Sequence, residues 1–346
     1  MIALVVVNYR SAALAVEAIR SARAATTAPL QVIVVDNSVD RREADFLRAH
    51  CDVLLTPDKN LGYAGGINAG RAQCSAEIVI VSNPDVVFGA GSIDALTQSF
   101  DDPRVAVAGP SLYWDDGFTW MLPPNDLPSF SLKLDEVLAS RSAAWARRRD
   151  RRRIRQRIRF WSLTDQSVVA AISGAVMAMR VEAFDEIGGF DERFPLYFEE
   201  TDFLRRMASA GKRIVYVPTA RCRHMYNQSA GSDSHNASRA YAESELLYLS
   251  KWYGRFTARL LKRLERPRRV RGAARIDGSI PIDTQNALVE ASPLPSFDTA
   301  AGHFATSQSV ALPDEVWSSY LPSILYVRVI SRPSLRVVGT WVKVRT

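Results

Sequence analysis

The chain has 346 residues, of which 47% are hydrophobic, enough to bury one large core or two smaller ones. Its three cysteines lack metal-type spacing and give no disulfide framework, which predicts a reducing compartment. The longest apolar stretch, residues 168–179, is too short to cross a bilayer, and an apolar strand beginning at Ile2 leaves no room for a signal peptide. These features exclude a disulfide scaffold and a membrane-spanning protein, and we expect a cytoplasmic location.

The net charge of +7 is unevenly distributed along the chain. Residues 141–159 carry ten arginines against one aspartate, and residues 255–275 carry nine lysines or arginines against one glutamate, which leaves the remainder at −10. Ile154, Ile158 and Trp161 form an apolar stripe beside the first set of arginines, as an interfacial helix requires. A nucleic-acid contact and a solvated charge run are the alternatives. We predict that both basic segments contact a membrane surface, and that no nucleic acid is bound.

The first 110 residues alternate between strand and helix. Apolar runs predict strands over residues 3–7, 31–35, 53–55 and 78–81, with helices over 11–25, 41–50 and 65–72. This alternation predicts a parallel sheet wound with right-handed crossovers. We interpret residues 1–110 as a nucleotide-binding half.

The next part of the chain completes the predicted catalytic domain, residues 1–240. Residues 111–165 lack a regular pattern and then become arginine-rich, so we predict a basic insertion there. Residues 166–240 are predicted to form an acceptor-binding and catalytic half. They contain a strand over 168–180, a helix over 199–210 and a strand from 213 that runs to His224.

The C-terminal third changes in character. Apolar positions spaced three and four residues apart between Leu246 and Leu264 predict one long amphipathic helix within the basic segment 241–275. Residues 276–346 are rich in Pro, Ser and Thr, with alternating runs near the end, which predicts an extended linker and a small β-rich tail. Because β-rich ends add readily to an exposed sheet edge, a homodimer is a further expectation.

Two acidic side chains follow predicted buried strands. Asp36 comes directly after one strand, and Asn83-Pro84-Asp85 follows another, so both acids are expected at the same edge of the sheet. Asp36 is suited to accept hydrogen bonds from a nucleobase or a ribose, whereas Asp85 is suited to hold Mg²⁺ or Mn²⁺ against a diphosphate. The alternatives are an Asx-turn or helix cap at Asp36 and a simple turn at residues 83–85.

The segment 60–68 is rich in glycine and lies at the start of a predicted helix. Its backbone amides are placed to approach a phosphate or a sugar, but the spacing is not that of a dinucleotide fingerprint. Glycines that allow close packing at a helix start are the alternative.

Further candidates lie in the second half of the predicted catalytic domain. Glu199, Glu200 and Asp202 fall at a helix start, where acids favour the helix dipole, and one of them could face a cleft as general base. Asp202 and Arg206 would alternatively form an i,i+4 surface pair. His224 is either structural or a second ligand for the cation beside Asp85.

These motifs, in this order, resemble an inverting glycosyltransferase of family 2 with the GT-A fold, and within it the rhamnosyltransferase branch. The resemblance covers about residues 1–230. The residues that carry it are Val5-Val6-Val7-Asn8-Tyr9, Val34-Val35-Asp36-Asn37-Ser38, the segment 60–68, Asn83-Pro84-Asp85, Ser173-Gly174-Ala175, Gly188-Gly189-Phe190-Asp191-Glu192 and Tyr197-Phe198-Glu199-Glu200-Thr201-Asp202.

The resemblance implies an α/β fold with a Rossmann-like, mostly parallel twisted sheet flanked by helices. It implies that Asp36 reads the donor nucleobase, that Asp85 binds a divalent cation with His224 nearby, and that Glu200 deprotonates the acceptor. The slot of Glu200 more often holds Asp, so Glu199 and Asp202 stay open as the base. Asn83 replaces an acid of the common triad, which leaves metal dependence open. The nucleotide sugar would be bound by Val7, Asn8, Asp36, Asn60, Gly62, Gly65, Asn68, Asn83 and Gly174.

The chemistry that the resemblance implies is a direct displacement at the anomeric carbon of the donor sugar. The expected donor is dTDP-rhamnose, with UDP- or GDP-sugars as alternatives. The expected acceptor is a glycan or a polyprenyl-diphosphate-linked sugar, which would place the protein on the inner face of the cell membrane. A non-catalytic binding protein on the same fold is the competing interpretation.

Overall fold

The computed structural model describes residues 1–225, 234–265, 273–320, 322 and 324–345. Residues 226–233 of the predicted catalytic domain and residues 266–272 of the second basic segment therefore lie outside the described part. The chain folds into two compact units. The first unit comprises Met1–Ser111, Asn125–Leu127 and Thr164–Ala258, and the second comprises Leu112–Pro124, Pro128–Leu163 and Arg259–Thr346.

The helices and strands are as follows. The strands are β1 Ile2–Asn8, β2 Leu30–Asp36, β3 Val53–Leu55, β4 Ile78–Ser82, β5 Val86–Phe88, β6 Val105–Tyr113, β7 Ser167–Val168, β8 Val176–Arg180, β9 Arg213–His224, β10 Ala274–Arg275, β11 Ile280–Pro281, β12 Ala287–Ser292, β13 Ala301–Phe304, β14 Ser309–Val310, β15 Ile324–Ser331 and β16 Arg336–Val344. The α-helices are α1 Ala12–Ala24, α2 Arg41–Arg48, α3 Gly62–Ala72, α4 Ser92–Gln98, α5 Phe130–Arg141, α6 Ala143–Trp161, α7 Val181–Glu186, α8 Glu199–Ser209, α9 Ser234–Tyr253, α10 Arg255–Leu264 and α11 Asp314–Ser319.

A nine-stranded sheet organises the first unit. Its order is β3-β2-β1-β4-β8-β6-β9-β5, with β7 paired to β9. Strand β1 is parallel to β2 and β4, and β2 is parallel to β3, as the alternation of strands and helices predicts. Strand β8 is antiparallel to β4 and to β6, and β9 is antiparallel to β5 and to β7, whereas the sequence predicts a mostly parallel sheet. The predicted α/β class is confirmed.

The parallel half brings the candidate donor-binding residues to one edge. All seven residues of β1 are buried, as expected for a strand covered on both faces. In register, Asn8 lies beside Asp36, and Val6 lies beside Ser82. The ends of β1, β2 and β4 therefore meet at the carboxyl edge of the sheet, where open α/β sheets bind their ligands.

Helix α3 lies unusually close to β1. A Cβ atom at Gly70 would stand 2.5 Å from a methyl carbon of Val5, and one at Gly66 would stand 2.8 Å from a methyl carbon of Val7. These two glycines are thus needed for packing, which is the alternative that the sequence left open for part of the glycine-rich segment.

The second unit contains a five-stranded sheet in the order β10-β16-β15-β12-β13. Helix α6 packs on it, because Ile154 and Trp161 cluster with Leu288 and Ile330. The predicted use of the apolar stripe as a membrane-inserting face is therefore wrong: Ile154 is 0% exposed and Trp161 is 7% exposed. The structure also groups most of the predicted insertion with the tail, and much of the predicted linker is an ordered sheet.

Ion pairs in the second unit fix α6 to this sheet. Arg157 lies 2.8 Å from Glu290, and Arg328 lies 2.9 Å from Asp150 and 2.6 Å from Glu290. Burial raises the pKa of Glu290, but Arg328 and Arg157 outweigh it, and the net pKa is lowered. The carboxylate is thus the charged centre of a buried network, with its cost of desolvation offset by two guanidinium groups.

The predicted single helix between Leu246 and Leu264 is wrong. Two helices, α9 and α10, are separated by Gly254, whose φ is +85°. The left-handed conformation breaks the helix, and glycine adopts it without the penalty that a Cβ atom brings. Among the described residues, no helix combines the length and apolar character needed to span a membrane.

Candidate active site

Asn8 and Asp36 form the floor of the candidate donor site in the first unit. The Asn8 amide donates to Asp36 Oδ1 over 2.9 Å and to Glu43 over 3.0 Å. The backbone N–H of Ser38 also donates to Asp36 Oδ1, over 3.0 Å, which is the Asx-turn proposed as the alternative. Both of these bonds end on Oδ1 of Asp36. The turn therefore leaves Oδ2 for a contact with a ligand. Asp36 is 2% exposed.

The start of α3 is fixed by side-chain amides. Asn60 Oδ1 accepts a hydrogen bond from the N–H of Gly62 over 2.8 Å, and Gly62 has a φ of +73°. The Asn37 amide donates to the carbonyl of Gly62 over 2.9 Å, which ties α3 to the end of β2. Gly65 is a packing position, since its Cβ would lie 3.1 Å from Leu61 Cβ.

Asn68 has a structural task. Its Nδ2 donates to the carbonyl of Phe190 over 2.9 Å and to Glu192 over 2.8 Å, and its Oδ1 accepts from the N–H of Phe190 over 2.9 Å. Because the amide is used by the chain itself, Asn68 holds the segment 188–192 against α3. Direct donation from Nδ2 to a nucleotide sugar would require breaking these bonds, whereas Oδ1 keeps one lone pair for the predicted contact.

Asp85 and His224 come together although 139 positions separate them in the printed sequence. His224 Nε2 lies 3.3 Å from Asp85 Oδ1. The pairing of β5 with β9 places His224 beside Val86, and the N–H of Met225 donates to the Asp85 carbonyl over 3.2 Å. A carboxylate and an imidazole are donors that suit Mn²⁺, and less closely Mg²⁺. No group of three or more candidate ligands occurs in the part of the chain that the structure describes. Asp85 and His224 would therefore supply part of the ligand set of a cation.

Asn83 lies at the turn between β4 and Asp85. Its N–H donates to the Ala175 carbonyl over 2.9 Å, which joins this turn to the segment before β8. Its side chain is half-buried. The backbone bond fixes the position of the turn whichever side chain stands at position 83.

Glu200 packs against Gly174. A Cβ atom at position 174 would stand 2.7 Å from Glu200 Cγ, so glycine leaves the room that the glutamate side chain fills. The hydroxyl of Tyr63 donates to the Gly174 carbonyl over 3.1 Å. Burial raises the pKa of Tyr63 well above its usual value, and the charges of Glu199, Glu200 and Asp85 raise it further. Tyr63 thus lies within electrostatic reach of both the predicted metal side and the predicted base.

Glu199 and Glu200 are adjacent but differ in environment. Glu199 is 4% exposed, and its buried Oε2 has no hydrogen-bond partner among the described residues. Burial, and then the charge of Glu200, raises the pKa of Glu199 well above its usual value. Glu200 is partly exposed, and burial of its carboxyl raises its pKa also. Glu200 is the one of the two that a substrate can reach.

The turn before α8 presents these acids in a strained conformation. Tyr197 and Phe198 have φ values of +68° and +66°, a conformation that costs on the order of 1–3 kcal/mol at each non-glycine residue. Helix α9 holds the turn, because the Ser244 hydroxyl donates to the Leu196 carbonyl over 2.7 Å and the ring of Phe198 packs 5.5 Å from that of Tyr248. Strain that packing maintains is common at functional sites.

Asp202 is unsuited to the role of base. It is 0% exposed, and its oxygens accept from Arg206 over 2.8 Å, from Trp252 over 3.0 Å and from Lys251 over 2.9 Å. The predicted pair with Arg206 is formed, but it is buried rather than on the surface. Two cations and an indole take up its lone pairs, so Asp202 fixes α8 to α9.

Sequence reasoning missed Tyr63 and Lys251 as residues of this site. Tyr63 lies inside the glycine-rich segment, and an aromatic residue at the start of that helix was a signal for a second role. Lys251 bonds both Asp191 and Asp202, each over 2.8 Å. Its spacing in an amphipathic helix gave no indication of this contact.

The family model described as glycosyltransferase like family 2 matches residues 1–242. The chain belongs to this family. It is a nucleotide-sugar-dependent glycosyltransferase, as predicted. The match includes the predicted acid cluster, Asp85 and His224, and it ends within α9.

Individual relatives support the rhamnosyltransferase-like character. The chain is 32% identical over 241 residues to the N-acetylglucosaminyl-diphospho-decaprenol L-rhamnosyltransferase of Mycobacterium tuberculosis (strain CDC 1551 / Oshkosh), which covers 65% of this chain and 76% of the relative. It is 22% identical over 175 residues to the rhamnosyltransferase WbbL of Escherichia coli (strain K12), covering 51% and 62%. Among solved structures, the mannosyltransferase PcManGT of Pyrobaculum calidifontis, in complex with GDP-Man and Mn²⁺, has 17% identity and a TM-score of 0.45, covering 75% and 73%.

Proposed function

We propose that this enzyme transfers L-rhamnose from dTDP-rhamnose, with inversion, to a sugar carried on a polyprenyl diphosphate. The observation that supports this most directly is the environment of Tyr63. Its hydroxyl contacts Gly174, against which Glu200 packs, and its pKa is raised by the charges of Glu199, Glu200 and Asp85. A base and a diphosphate-binding acid that both lie near one side chain are what a direct displacement requires.

Glu200 is assigned as the general base. As the acceptor oxygen bonds to the anomeric carbon, its proton passes to the Glu200 carboxylate, and the bond from that carbon to the diphosphate oxygen breaks with its electron pair. A hydroxyl has a pKa far above seven, so a carboxylate with a raised pKa is a better match than an ordinary one. Glu199, next to Glu200 in the sequence, is buried, and Asp202 fixes helix α8 to helix α9.

Asp85 and His224 would hold a divalent cation, Mg²⁺ or Mn²⁺. When bound, the cation would offset negative charge on the leaving diphosphate. The donor set of one carboxylate and one imidazole fits such an ion, with oxygens of the diphosphate as further ligands. Asp36 and Asn8, at the ends of neighbouring strands, would bind the nucleoside, and the turn at Asn83 and the segment before Gly174 would border the sugar.

The acceptor and the location are inferred from the relatives. The Mycobacterium tuberculosis relative is named for N-acetylglucosaminyl-diphospho-decaprenol, a lipid-linked sugar. A lipid-linked acceptor would place this enzyme in the cytoplasm at the inner face of the cell membrane, in cell-wall or polysaccharide synthesis. A homodimer formed through the β-rich tail stays a prediction.

The test is transfer from a panel of donors to N-acetylglucosaminyl-diphospho-polyprenol, with dTDP-rhamnose, UDP-glucose and GDP-mannose offered separately. We expect transfer from dTDP-rhamnose, and an anomeric configuration in the product, read by NMR, opposite to that of the donor. Asp85→Asn and Glu200→Gln serve as inactive controls. Retention of configuration would contradict the mechanism, and transfer from UDP- or GDP-sugars alone would contradict the donor.

A further inference from the structure

Helix α6 sorts its arginines onto two faces. On the inner face of the second unit, Arg149 lies 3.3 Å from Asp135, 2.9 Å from Glu136 and 3.2 Å from Asp298. Arg157 lies 2.8 Å from Glu290. The acids of this unit are thus used to neutralise arginines that the fold buries.

The outer face carries five exposed arginines, for which no ion pair occurs among the described residues. They are Arg147, Arg148, Arg151, Arg155 and Arg159. Four of them are spaced four residues apart, so they follow one side of the helix over roughly 18 Å, at 1.5 Å per residue. We call this side the arginine face. A strip of like charges of this length attracts a polyanionic surface.

The apolar residues of α6 exclude one way of using this face. Ile154 and Trp161 are buried against the sheet, so they cannot enter a lipid layer while the unit is folded. The contact must therefore be electrostatic, made by guanidinium groups without insertion of apolar side chains.

The aromatic residues also argue against single-stranded nucleic acid. Binding of unpaired bases relies on exposed rings for stacking. On α6, Trp161 is buried, and the indole of Trp145 is half-buried and donates to Asp135 over 2.7 Å. The arginine face thus offers charge without stacking platforms, which suits the headgroups of anionic lipids.

We propose that the arginine face docks the second unit on an anionic lipid surface by charge alone. This inference rests on the proposed function, because a lipid-linked acceptor would be found at such a surface. The proposed contact is superficial and sensitive to salt, and it differs from the interfacial helix that the sequence predicts.

The test compares two matched variants. The first changes all five residues of the arginine face to glutamine. The control changes five other exposed arginines to glutamine, and so loses the same charge: Arg20, Arg41, Arg42, Arg48 and Arg336. Binding is measured by co-sedimentation with vesicles of phosphatidylcholine alone, or mixed with phosphatidylglycerol, over a range of salt concentrations.

We expect the native enzyme to bind only the anionic vesicles, and its binding to weaken as salt is raised. At about 1 kcal/mol for each cation near an anionic leaflet, loss of the five arginines of the arginine face should lower the partition constant roughly five-thousandfold. The control variant should keep most of its binding. Equal losses in both variants, or unchanged binding by the first, would overturn the proposal. Tighter binding of the native enzyme to DNA than to anionic vesicles would overturn it in favour of nucleic acid.

Transfer to a short-chain, water-soluble acceptor separates this proposal from the proposed function. With the water-soluble acceptor, we expect the first variant to transfer sugar at the native rate. Its transfer rate should be lower than the native rate only when the acceptor is embedded in anionic vesicles. No transfer by the native enzyme to any acceptor would count against the proposed function, whereas the vesicle result would still decide the docking face.

Discussion

Replacing Lys251 with methionine removes a cation that helix α9 supplies to the helix of the acid cluster. Lys251 Nζ lies 2.8 Å from Asp191 and 2.8 Å from Asp202, and Asp202 is 0% exposed. Removing one partner of a buried ion pair costs about 3–5 kcal/mol. Arg206 and Trp252 still bond Asp202, so we expect the lower end of this range, about 3 kcal/mol.

The same change should affect catalysis. The contacts of α9 hold the strained turn at Tyr197 and Phe198, which directs Glu200 toward Gly174. Small displacements of a catalytic group cost up to about a hundredfold in rate, so we expect kcat to fall about tenfold to a hundredfold. The KM for the donor should stay unchanged, because Asp36 and Asp85 lie on other elements.

Urea unfolding and steady-state kinetics measure the two effects on the Lys251→Met variant. Lys251→Arg, which keeps the charge, should recover most of the stability and most of kcat. A Lys251→Met variant with native kcat, or with a raised donor KM as its main defect, would refute the idea that α9 positions the base.

Three further results are expected. Gly174→Ala should reduce kcat with little change in nucleotide affinity, since its Cβ would stand 2.7 Å from Glu200 Cγ; a native kcat would show that Glu200 is not held there. Because burial raises the pKa of Glu200 and the base must be deprotonated, kcat should fall as the pH drops through a value above that of an ordinary glutamate, and an acid limb at or below the ordinary value would contradict this. Glu290→Gln should lower the free energy of unfolding by about 3–5 kcal/mol, because Arg157 and Arg328 lose a buried counter-charge; a change below the error of the urea titration would contradict it.

The sequence allowed the strand ends at the carboxyl edge of the sheet to be predicted, because they depend on local pattern. An apolar run followed by a polar residue predicts a strand end, and parallel strands bring their ends together. Asn8, Asp36 and the turn at Asn83 therefore lie at the same edge, as expected. The antiparallel half of the sheet was beyond this reasoning, since β8 pairs with β4 across almost a hundred residues of sequence.

Other features depend on partners far away in the chain. Nothing near Asp202 indicates that Lys251 and Trp252 occupy its oxygens. The arginines of α6 look like one charged run in the sequence, because two of the acids that neutralise its inner face, Glu290 and Asp298, lie more than a hundred residues later. The break at Gly254, by contrast, is marked in the sequence itself, by a glycine inside an otherwise regular apolar spacing.

The central claim is that Glu200 removes the acceptor proton in a cleft whose donor side is built by other residues. The most direct test measures two quantities for the Glu200→Gln and Glu199→Gln variants. These are the transfer rate and the affinity for dTDP, determined by calorimetry, and each is compared with the value of the native enzyme. The account predicts that Glu200→Gln loses about a hundredfold to ten-thousandfold in rate with native dTDP affinity, and that Glu199→Gln loses much less. A Glu200→Gln variant that transfers sugar at the native rate would contradict it.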